Sequence, residues 1–348
     1  MLAFTVLLLL VGIAQLGGES SSRGQRARAD TGPAPSNPPG GCAAPTERLD
    51  PAAWGDDHLE EPLPEFIEGG ECLFCHRLDV GDTWSKDDPH AHTIRDVDRD
   101  SPEMAALARD AQTSPLVDEV ELVLGGQRHR RFLRRGQGYG RLDLLSASAS
   151  RGRGGRFRLA DADNPHWEDE TFAGHCAGCH TTGVDPNSAA FSLVSLDCYV
   201  CHGDTTLDHT SEPTLVHLAA ERDDPPRVVV SICGQCHIRF GHSQATGRPY
   251  PTNFVAGDNL FRDYRFDFAL ADDEAINPAD RHVLINVRDV VLYGREELSC
   301  TSCHEVHGNS TARHRELADR AICFVCHEPD EPKRVHKTYE VHSERCRY

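Results

Sequence analysis

The chain has 348 residues, of which 39% are hydrophobic and only three are Trp, a thin supply for a large side-chain core. Its formal net charge of −19 disfavours binding to nucleic acid or anionic lipid and favours docking on basic patches of a protein partner. Fourteen cysteines would ordinarily indicate a disulfide framework or a set of metal sites.

The N-terminal 20 residues are predicted to be a signal peptide. Leu2–Leu16 is an apolar run of about fifteen residues, which is typical of a signal-peptide core and short for a membrane span. Cleavage is expected near Gly18–Ser20. The alternative is an uncleaved N-terminal anchor, in which case the chain would be associated with a membrane. Residues 21–50 are rich in Ser, Gly, Arg, Pro and Ala, and are predicted to be a disordered linker.

Residues 51–112 are predicted to form a module around one short motif, Cys72-Leu-Phe-Cys75-His76. The pattern C-x-x-C-H is the signature of c-type haem attachment, in which each thiol forms a thioether with a haem vinyl group and the histidine binds the iron. Further along, Pro102–Ala111 is predicted to be a short helix, because Ser101 is a good N-cap and proline is favoured at the first helical position.

Residues 113–162 are predicted to be a small antiparallel β insertion that carries no haem. Glycine-rich turns separate four β-like runs: Val117–Leu124, Arg130–Arg135, Arg141–Ser146 and Arg156–Leu159. The region from Arg128 to Arg158 contains ten arginines. A solvated hairpin face is favoured, with pairing to haem propionates or partner docking as alternatives. Nucleic-acid binding is disfavoured, because no recognisable module accompanies the charge.

Residues 163–348 are predicted to form a second module, in which the same motif recurs five times. The five copies are Cys176/Cys179/His180, Cys198/Cys201/His202, Cys233/Cys236/His237, Cys300/Cys303/His304 and Cys323/Cys326/His327. Between the third and fourth of these copies, Arg281–Tyr293 is the clearest extended apolar element. Its Val and Ile content leaves both helix and strand open.

Zinc ribbons do not explain the motif, because zinc does not require a histidine after every second cysteine of a pair. With 20 histidines in 348 residues, six such coincidences have a probability on the order of 10⁻⁸. We therefore predict six covalently attached haem c groups. The expected fold is mainly α with much irregular coil, with the haems forming the core. Covalent haem attachment also predicts a periplasmic or otherwise extracytoplasmic location.

The axial ligands are predicted from the supply of methionine and histidine. Methionine occurs only at positions 1 and 104, whereas fourteen histidines lie outside the motifs, so mostly bis-His coordination and low potentials are expected. The proximal ligands by motif are His76, His180, His202, His237, His304 and His327. The best distal candidates by position are His307, His209, His90 and His282, followed by His242, His92 and His336.

Several stretches carry a family resemblance: Phe172–Gly183, Cys198–Gly203, Ile232–His237, Arg248–Leu260 and Cys300–Gly308. They resemble the exported multihaem cytochromes c, most closely the superfamily that includes the tetrahaem electron acceptor of hydroxylamine oxidoreductase. The resemblance runs from about Glu71 to the C-terminus. It implies haems stacked in close pairs, with His90, His209, His282 and His307 as distal ligands.

The favoured function is electron transfer, in which closely packed haems relay electrons between redox protein partners and no residue is catalytic. The alternative is a multihaem oxidoreductase that acts on a small nitrogen or sulfur compound at a five-coordinate haem. The sequence has no C-x-x-C-K motif, which argues against the nitrite-reductase type. Polymerisation into an extracellular haem wire is a third possibility.

Two cysteines, Cys42 and Cys346, lie outside the motifs. The segment His342–Cys346 is typical of the approach to a further C-x-x-C-H copy, so a natural chain that continues into a seventh motif is favoured. The alternatives are a disulfide between Cys42 and Cys346, which an oxidising compartment would permit, and a free thiol.

Overall fold

The computed structural model describes residues 69–126, 128–203, 205, 207–292, 298–302, 304, 306 and 307. All of them belong to one unit, Ser36–Tyr348. Several predicted features lie outside the described residues: the signal peptide and linker, Cys42, Cys303, the whole sixth motif with Cys323, Cys326 and His327, and Cys346.

Short helices and antiparallel strands alternate along the described residues. The α-helices are α1 Gly69–His76, α2 Asp82–Asp87, α3 Pro102–Arg109, α4 Thr171–His175, α5 Ala177–His180, α6 Cys198–His202, α7 Pro226–His237, α8 Leu260–Asp263 and α9 Pro278–Ile285. The strands are β1 Ile94–Asp96, β2 Leu122–Leu124, β3 His129–Arg135, β4 Leu142–Arg151, β5 Phe157–Ala160, β6 Trp167–Glu168, β7 Thr181–Val184, β8 Phe191–Val194, β9 His242–Ser243 and β10 Tyr264–Arg265. None of the helices in this part of the chain has the length and apolar composition needed to cross a bilayer.

The largest element is a six-stranded antiparallel sheet with the order β1-β2-β3-β4-β5, in which β6 also pairs with β4. Successive residues of a strand point to opposite faces, and both faces of this sheet are covered. On one face Leu133 and Leu144 pack against Phe172, which belongs to α4. On the other face Phe132 and Leu145 pack against α3. Each face therefore has an apolar cluster of its own.

A third apolar cluster lies among α7, α8 and α9. It contains Val230, Leu260 and Leu284, each with at most 1% of its surface exposed. The segment 281–293, for which helix and strand were both open, begins inside α9 and continues as a π-type helix over Asn286–Leu292. The apolar side chains of this segment thus face α7 and α8.

The predicted fold class, mainly α with the haems as the core, is wrong. About 40% of the described residues are helical and about 18% are in strands, so the fold is mixed, and three clusters of apolar side chains provide cores of their own. The sheet is also larger than the predicted insertion at 113–162, because β1 and β6 join it from outside that range. Buried leucine and phenylalanine on both faces of the sheet explain why a chain with few aromatic residues can still build a side-chain core.

Candidate functional site

Each described copy of the C-x-x-C-H motif lies on a helical turn. The turns are the C-terminal ends of α1 and α7, the whole of α5 with Cys176 before it, the whole of α6, and a 3₁₀ turn at Cys300–Ser302. In each motif the second cysteine lies three residues after the first, and the histidine lies four residues after the first. At this spacing the two thiols and the imidazole lie on one face of a helical turn. Each turn whose motif is described in full therefore presents three groups to one attached ligand.

The motifs pack against one another rather than standing apart. Helix α1 lies against α6, α5 and α6 lie against α7, and α7 lies against the turn at Cys300. Thiols of different motifs lie side by side at these contacts: Cys72 with Cys198, Cys179 with Cys236 and Cys233 with Cys300. The five motifs that the structure describes, wholly or in part, thus form one contiguous group with α7 at its centre.

Three motif histidines face a histidine from outside the motifs. The ring centroids of His76 and His209 lie 6.2 Å apart with an interplanar angle of 25°. Those of His237 and His90 lie 6.2 Å apart at 74°, and those of His202 and His307 lie 5.8 Å apart at 33°. Each pair joins distant parts of the sequence. The structure therefore brings three of the four distal candidates opposite a predicted proximal ligand.

The spacing within these pairs fits a metal ion between two imidazoles. An imidazole nitrogen binds a transition-metal ion at about 2 Å and lies about 1 Å from its ring centre, so two axial imidazoles have centroids roughly 6 Å apart. The three measured distances of 6.2, 6.2 and 5.8 Å agree with that value. Together with the thiols on the adjacent turns, these residues fit covalently attached haem.

Hydrogen bonds at Nδ1 orient one or both rings of each pair. His76 Nδ1 donates to Asp79 Oδ2 at 2.9 Å, and His90 Nδ1 donates to Asp88 Oδ1 at 3.0 Å. His202 Nδ1 donates to the carbonyl oxygen of His217 at 2.6 Å. A donor at Nδ1 leaves Nε2 unprotonated, which is the form that binds iron. In the third pair, Trp84 also packs edge-on against His307, with ring centroids 6.3 Å apart.

The local environment keeps four of the motif groups uncharged. Burial, with a smaller contribution from Arg239, lowers the pKa of His180 to about 4, and burial also lowers the pKa of His202. Burial raises the pKa of the Cys176 thiol to about 11 and, together with nearby Asp88, that of Cys201 to about 11. A neutral imidazole is the ligand form, so the low pKa values suit these histidines to iron binding.

A polar network supports the carbonyl group that orients His202. Asp224 accepts hydrogen bonds from His217 Nδ1 at 3.0 Å, from the backbone N–H of Leu218 at 2.6 Å and from Arg222 Nε at 2.7 Å. Burial raises the pKa of Asp224, but these three bonds outweigh it and hold the pKa below its usual range. The network fixes the turn at residues 217 and 218, where the bonded carbonyl lies.

The remaining predicted ligands have different surroundings. Desolvation, and then the nearby rings of His90 and His304, lower the pKa of His237, so His304 lies close to that pair. His282 lies in α9 with Nδ1 3.0 Å from the Asn286 amide nitrogen. Within the described part of the chain, His180 Nδ1 is buried without a hydrogen-bond partner.

The sixth predicted haem site falls outside the described residues. The structure does not describe its two attachment cysteines, Cys323 and Cys326, or its proximal ligand, His327. Cys303 of the fifth motif is also outside the described residues. These four assignments therefore stay predictions from the sequence.

Of the weaker distal candidates, His92 bonds to the backbone and His242 is exposed. His92 Nε2 donates to the backbone carbonyl of Ser85 at 2.9 Å, which ties the loop after α2 to that helix. His242 is an exposed residue of β9. His336 lies outside the described residues.

Sequence reasoning missed the groups that orient the ligands. Asp79 and Asp88 lie within three residues of a ligand candidate, so an acidic residue at that spacing was a usable signal. Asp224 and Trp84 gave no such signal, because each acts on a histidine that is remote in the sequence.

Tyr250 anchors the second motif to the rest of the unit. Its hydroxyl donates to the carbonyl oxygen of Ala173, and its ring lies directly against Gly178, the second x of Cys176-Ala-Gly-Cys179-His180. A Cβ at Gly178 would lie 2.2 Å from the ring carbons of Tyr250. Only glycine allows this close approach.

A family model described as the doubled CXXCH motif matches residues 294–332. These residues contain the fifth and sixth copies of the motif, and four further copies precede them. The chain is a multihaem c-type cytochrome.

Among solved structures, this cytochrome is similar to the undecaheme cytochrome from the S-layer of Carboxydothermus ferrireducens, with 14% sequence identity and a TM-score of 0.41. The match covers 78% of this chain and 44% of that chain, so this chain spans less than half of that cytochrome's length. No curated protein matches the sequence.

Proposed function

We propose that this cytochrome carries six haem c groups, mostly with bis-His coordination, and transfers electrons between redox proteins outside the cytoplasm. The observation that carries the proposal is the set of three facing histidine pairs, each of which joins a motif histidine to one from elsewhere in the chain. Membership of the superfamily of the tetrahaem partner of hydroxylamine oxidoreductase belongs to the same proposal.

Two protein ligands per iron favour electron transfer over catalysis. When bound, haem supplies reversible one-electron chemistry, and His/His ligation gives lower potentials than Met/His ligation. His209, His90 and His307 each lie opposite a predicted proximal ligand, which would leave a substrate no coordination site there. Asp79, Asp88 and the carbonyl of His217 hold three of the six paired rings in the binding tautomer.

Close packing of the motifs also supports a relay. Two thiol pairs join the second, fourth and fifth motifs, and a third pair joins the first motif to the third. The contact of α6 with α7 joins these two groups. Attached groups would therefore be neighbours, which short electron-transfer steps require. The net charge of −19 favours partners with basic docking surfaces. Export, by the predicted signal peptide at residues 1–20, would bring the chain to the compartment in which haem is attached.

The haem count is tested by intact-mass measurement of protein matured with a cytochrome c assembly system. We expect six haem adducts, and a pyridine haemochrome spectrum of the two-thioether type. A fully matured protein with fewer adducts would contradict the count. Six low-spin irons in low-temperature EPR would support electron transfer, whereas a high-spin iron in the native protein would favour the alternative of catalysis at a five-coordinate haem.

The ligand assignment is tested with one variant and a matched control. His307→Ala should convert one low-spin iron to high spin, because it removes the ring opposite His202. His242→Ala should leave the EPR spectrum unchanged, because His242 is an exposed residue of β9. An unchanged spectrum in the His307 variant would refute the pairing while leaving the haem count intact.

A further inference from the structure

The charge of this chain is distributed unevenly. Residues 126–160 contain ten arginines and one acidic residue, which gives +9, so the rest of the chain carries −28. These 35 residues form strands β3, β4 and β5 together with their turns. The sheet is thus a basic segment in a strongly acidic protein.

Five exposed arginines that lack an acidic partner gather at one end of the sheet. We call this end of the sheet the basic end and define it by Arg128, Arg151, Arg153, Arg156 and Arg158. All five are exposed, and none forms an ion pair with any residue that the structure describes. Strand pairing holds them together, because the backbone N–H of Arg151 donates to the carbonyl of Arg128 and Ser150 pairs with Arg158.

The turn of the basic end is an ordered hairpin. The backbone N–H of Gly152 donates to the carbonyl of Arg156 at 2.8 Å, and that of Gly155 donates to the carbonyl of Gly152 at 3.1 Å. Gly154 and Gly155 have φ of 91° and 81°, which only glycine adopts readily. Positive charge is therefore held on a defined surface.

The opposite end of the same sheet is acidic. We define the acidic end by four exposed aspartates: Asp96, Asp98, Asp100 and Asp118. None of them forms an ion pair within the described residues. They are close together because Arg99, between them in sequence, donates to the carbonyls of Val117 and Asp118. The seven residues of β3 run from one end to the other, a distance of roughly 20 Å.

We propose that the basic end of the sheet docks on the acidic end of a second copy of this chain. The two surfaces have opposite charge, form no ion pairs among the described residues and belong to one sheet. They are different surfaces at opposite ends, so the contact is head-to-tail and each added copy leaves both ends available. Association should therefore continue beyond a dimer as concentration rises. This inference rests on charge placement and is independent of the proposed electron transfer.

Sedimentation velocity of the full, haem-loaded chain tests the proposal. At an ionic strength of about 0.01 M, where the Debye length is about 30 Å, the weight-average sedimentation coefficient should rise with concentration. At about 1 M, where the Debye length is about 3 Å, the chain should be monomeric. A monomer at low ionic strength and at every concentration would overturn the proposal. This is also the result expected if an acidic segment of the same chain covers the basic end.

Charge reversal identifies the surfaces involved. Arg153→Glu with Arg156→Glu should weaken association at least about tenfold, because like charges then face each other. Arg109→Glu with Arg265→Glu is the matched control, since it changes the net charge equally at exposed arginines outside both ends, and it should weaken association far less. Equal loss in both variants would mean that net charge alone drives association, and would overturn the proposal.

Mixing two charge-reversed variants is the most specific test of this contact. Asp96→Arg with Asp118→Arg should also block self-association, and a mixture of this variant with the Arg153/Arg156 variant should associate again. A chain with all four reversals should recover self-association. If the aspartate variant still associates normally, the basic end binds some other acidic surface and the committed contact is wrong.

Discussion

Strand β4 and the segment 205–228 are stabilised in different ways. Six of the ten residues of β4 are buried, including Leu144 and Leu145 on opposite faces of the sheet. In the segment 205–228, no residue that the structure describes is buried as a whole. The segment instead buries a polar side chain: that of Asp224 is 3% exposed and binds His217 and Arg222.

This difference indicates two sources of stability within one unit. Burial of apolar side chains stabilises the sheet whether or not a ligand is bound. The segment 205–228 follows the third motif and contains His209, the ring opposite His76, so ligation would fix it in place. Hydrogen bonds alone contribute little net free energy for each bond made. The segment is thus expected to depend on the attached group, and the sheet is not.

The largest expected effect is that of producing the protein without haem attachment. Backbone amides in the segment 205–228 should then exchange hydrogen at nearly the unprotected rate, whereas β4 should keep most of its protection. Hydrogen-exchange mass spectrometry of haem-free and haem-loaded protein measures both regions in one experiment. Equal loss of protection in β4 would contradict the comparison, because it would mean that the sheet also depends on haem.

The next effect concerns the second motif, where Tyr250 packs on Gly178. Gly178→Ala should lower the free energy of unfolding by about 1–3 kcal/mol, because the new methyl group overlaps the ring of Tyr250. Gly174→Ala is the matched control, since a Cβ at Gly174 meets nothing within 4 Å. Thermal unfolding followed by circular dichroism compares them. If Gly178→Ala costs as much in a Tyr250→Ala background as in the natural sequence, the overlap is not the cause.

A smaller effect is expected within the segment 205–228 itself. Asp224→Asn should cost about 1–3 kcal/mol, because an amide has only one acceptor oxygen and cannot accept all the hydrogen bonds that the two carboxylate oxygens receive from His217, Leu218 and Arg222. Asp223→Asn, at the exposed neighbouring position, should change stability by less than about 0.5 kcal/mol. Denaturant unfolding of the haem-loaded proteins provides the measurement. An equal loss of stability in the two variants would mean that the removed charge, and not the hydrogen-bond network of Asp224, is the cause.

Local patterns in the sequence predicted local structure well. The helix predicted at Pro102–Ala111 with Ser101 as N-cap is confirmed, since α3 spans Pro102–Arg109 and Ser101 Oγ accepts from the backbone N–H of Met104. Three of the four β-like runs contain strands over most of their length, whereas the first is a 3₁₀ helix at Ser114–Glu119 before β2 begins. Caps and turns are encoded within a few residues, so these elements could be predicted.

Long-range placement could not be predicted in the same way. The order of histidines along the chain does not reveal that His209 faces His76 or that His90 faces His237, because each pair closes a long loop. Likewise β1 and β6 are too short to give a strand signal, and they join the sheet only because the pairing edges of β2 and β4 are free to accept them. The overestimate of irregular coil has the same origin.

The smallest expected effect distinguishes two carboxylates that make the same bond. Asp88 and Asp79 each accept from Nδ1 of a ligand histidine, but Asp88 is fully buried and the side chain of Asp79 is 61% exposed. Replacing either by Asn removes a negative charge near the iron and should raise its midpoint potential. Solvent screens Asp79 and not Asp88, so Asp88→Asn should shift one centre by on the order of 59 mV, a tenfold change in the one-electron equilibrium, and Asp79→Asn by a small fraction of that. Spectroelectrochemical titration of the two variants measures both shifts. A shift in the Asp79 variant as large as that in the Asp88 variant would mean that burial does not control how these carboxylates act on their ligands.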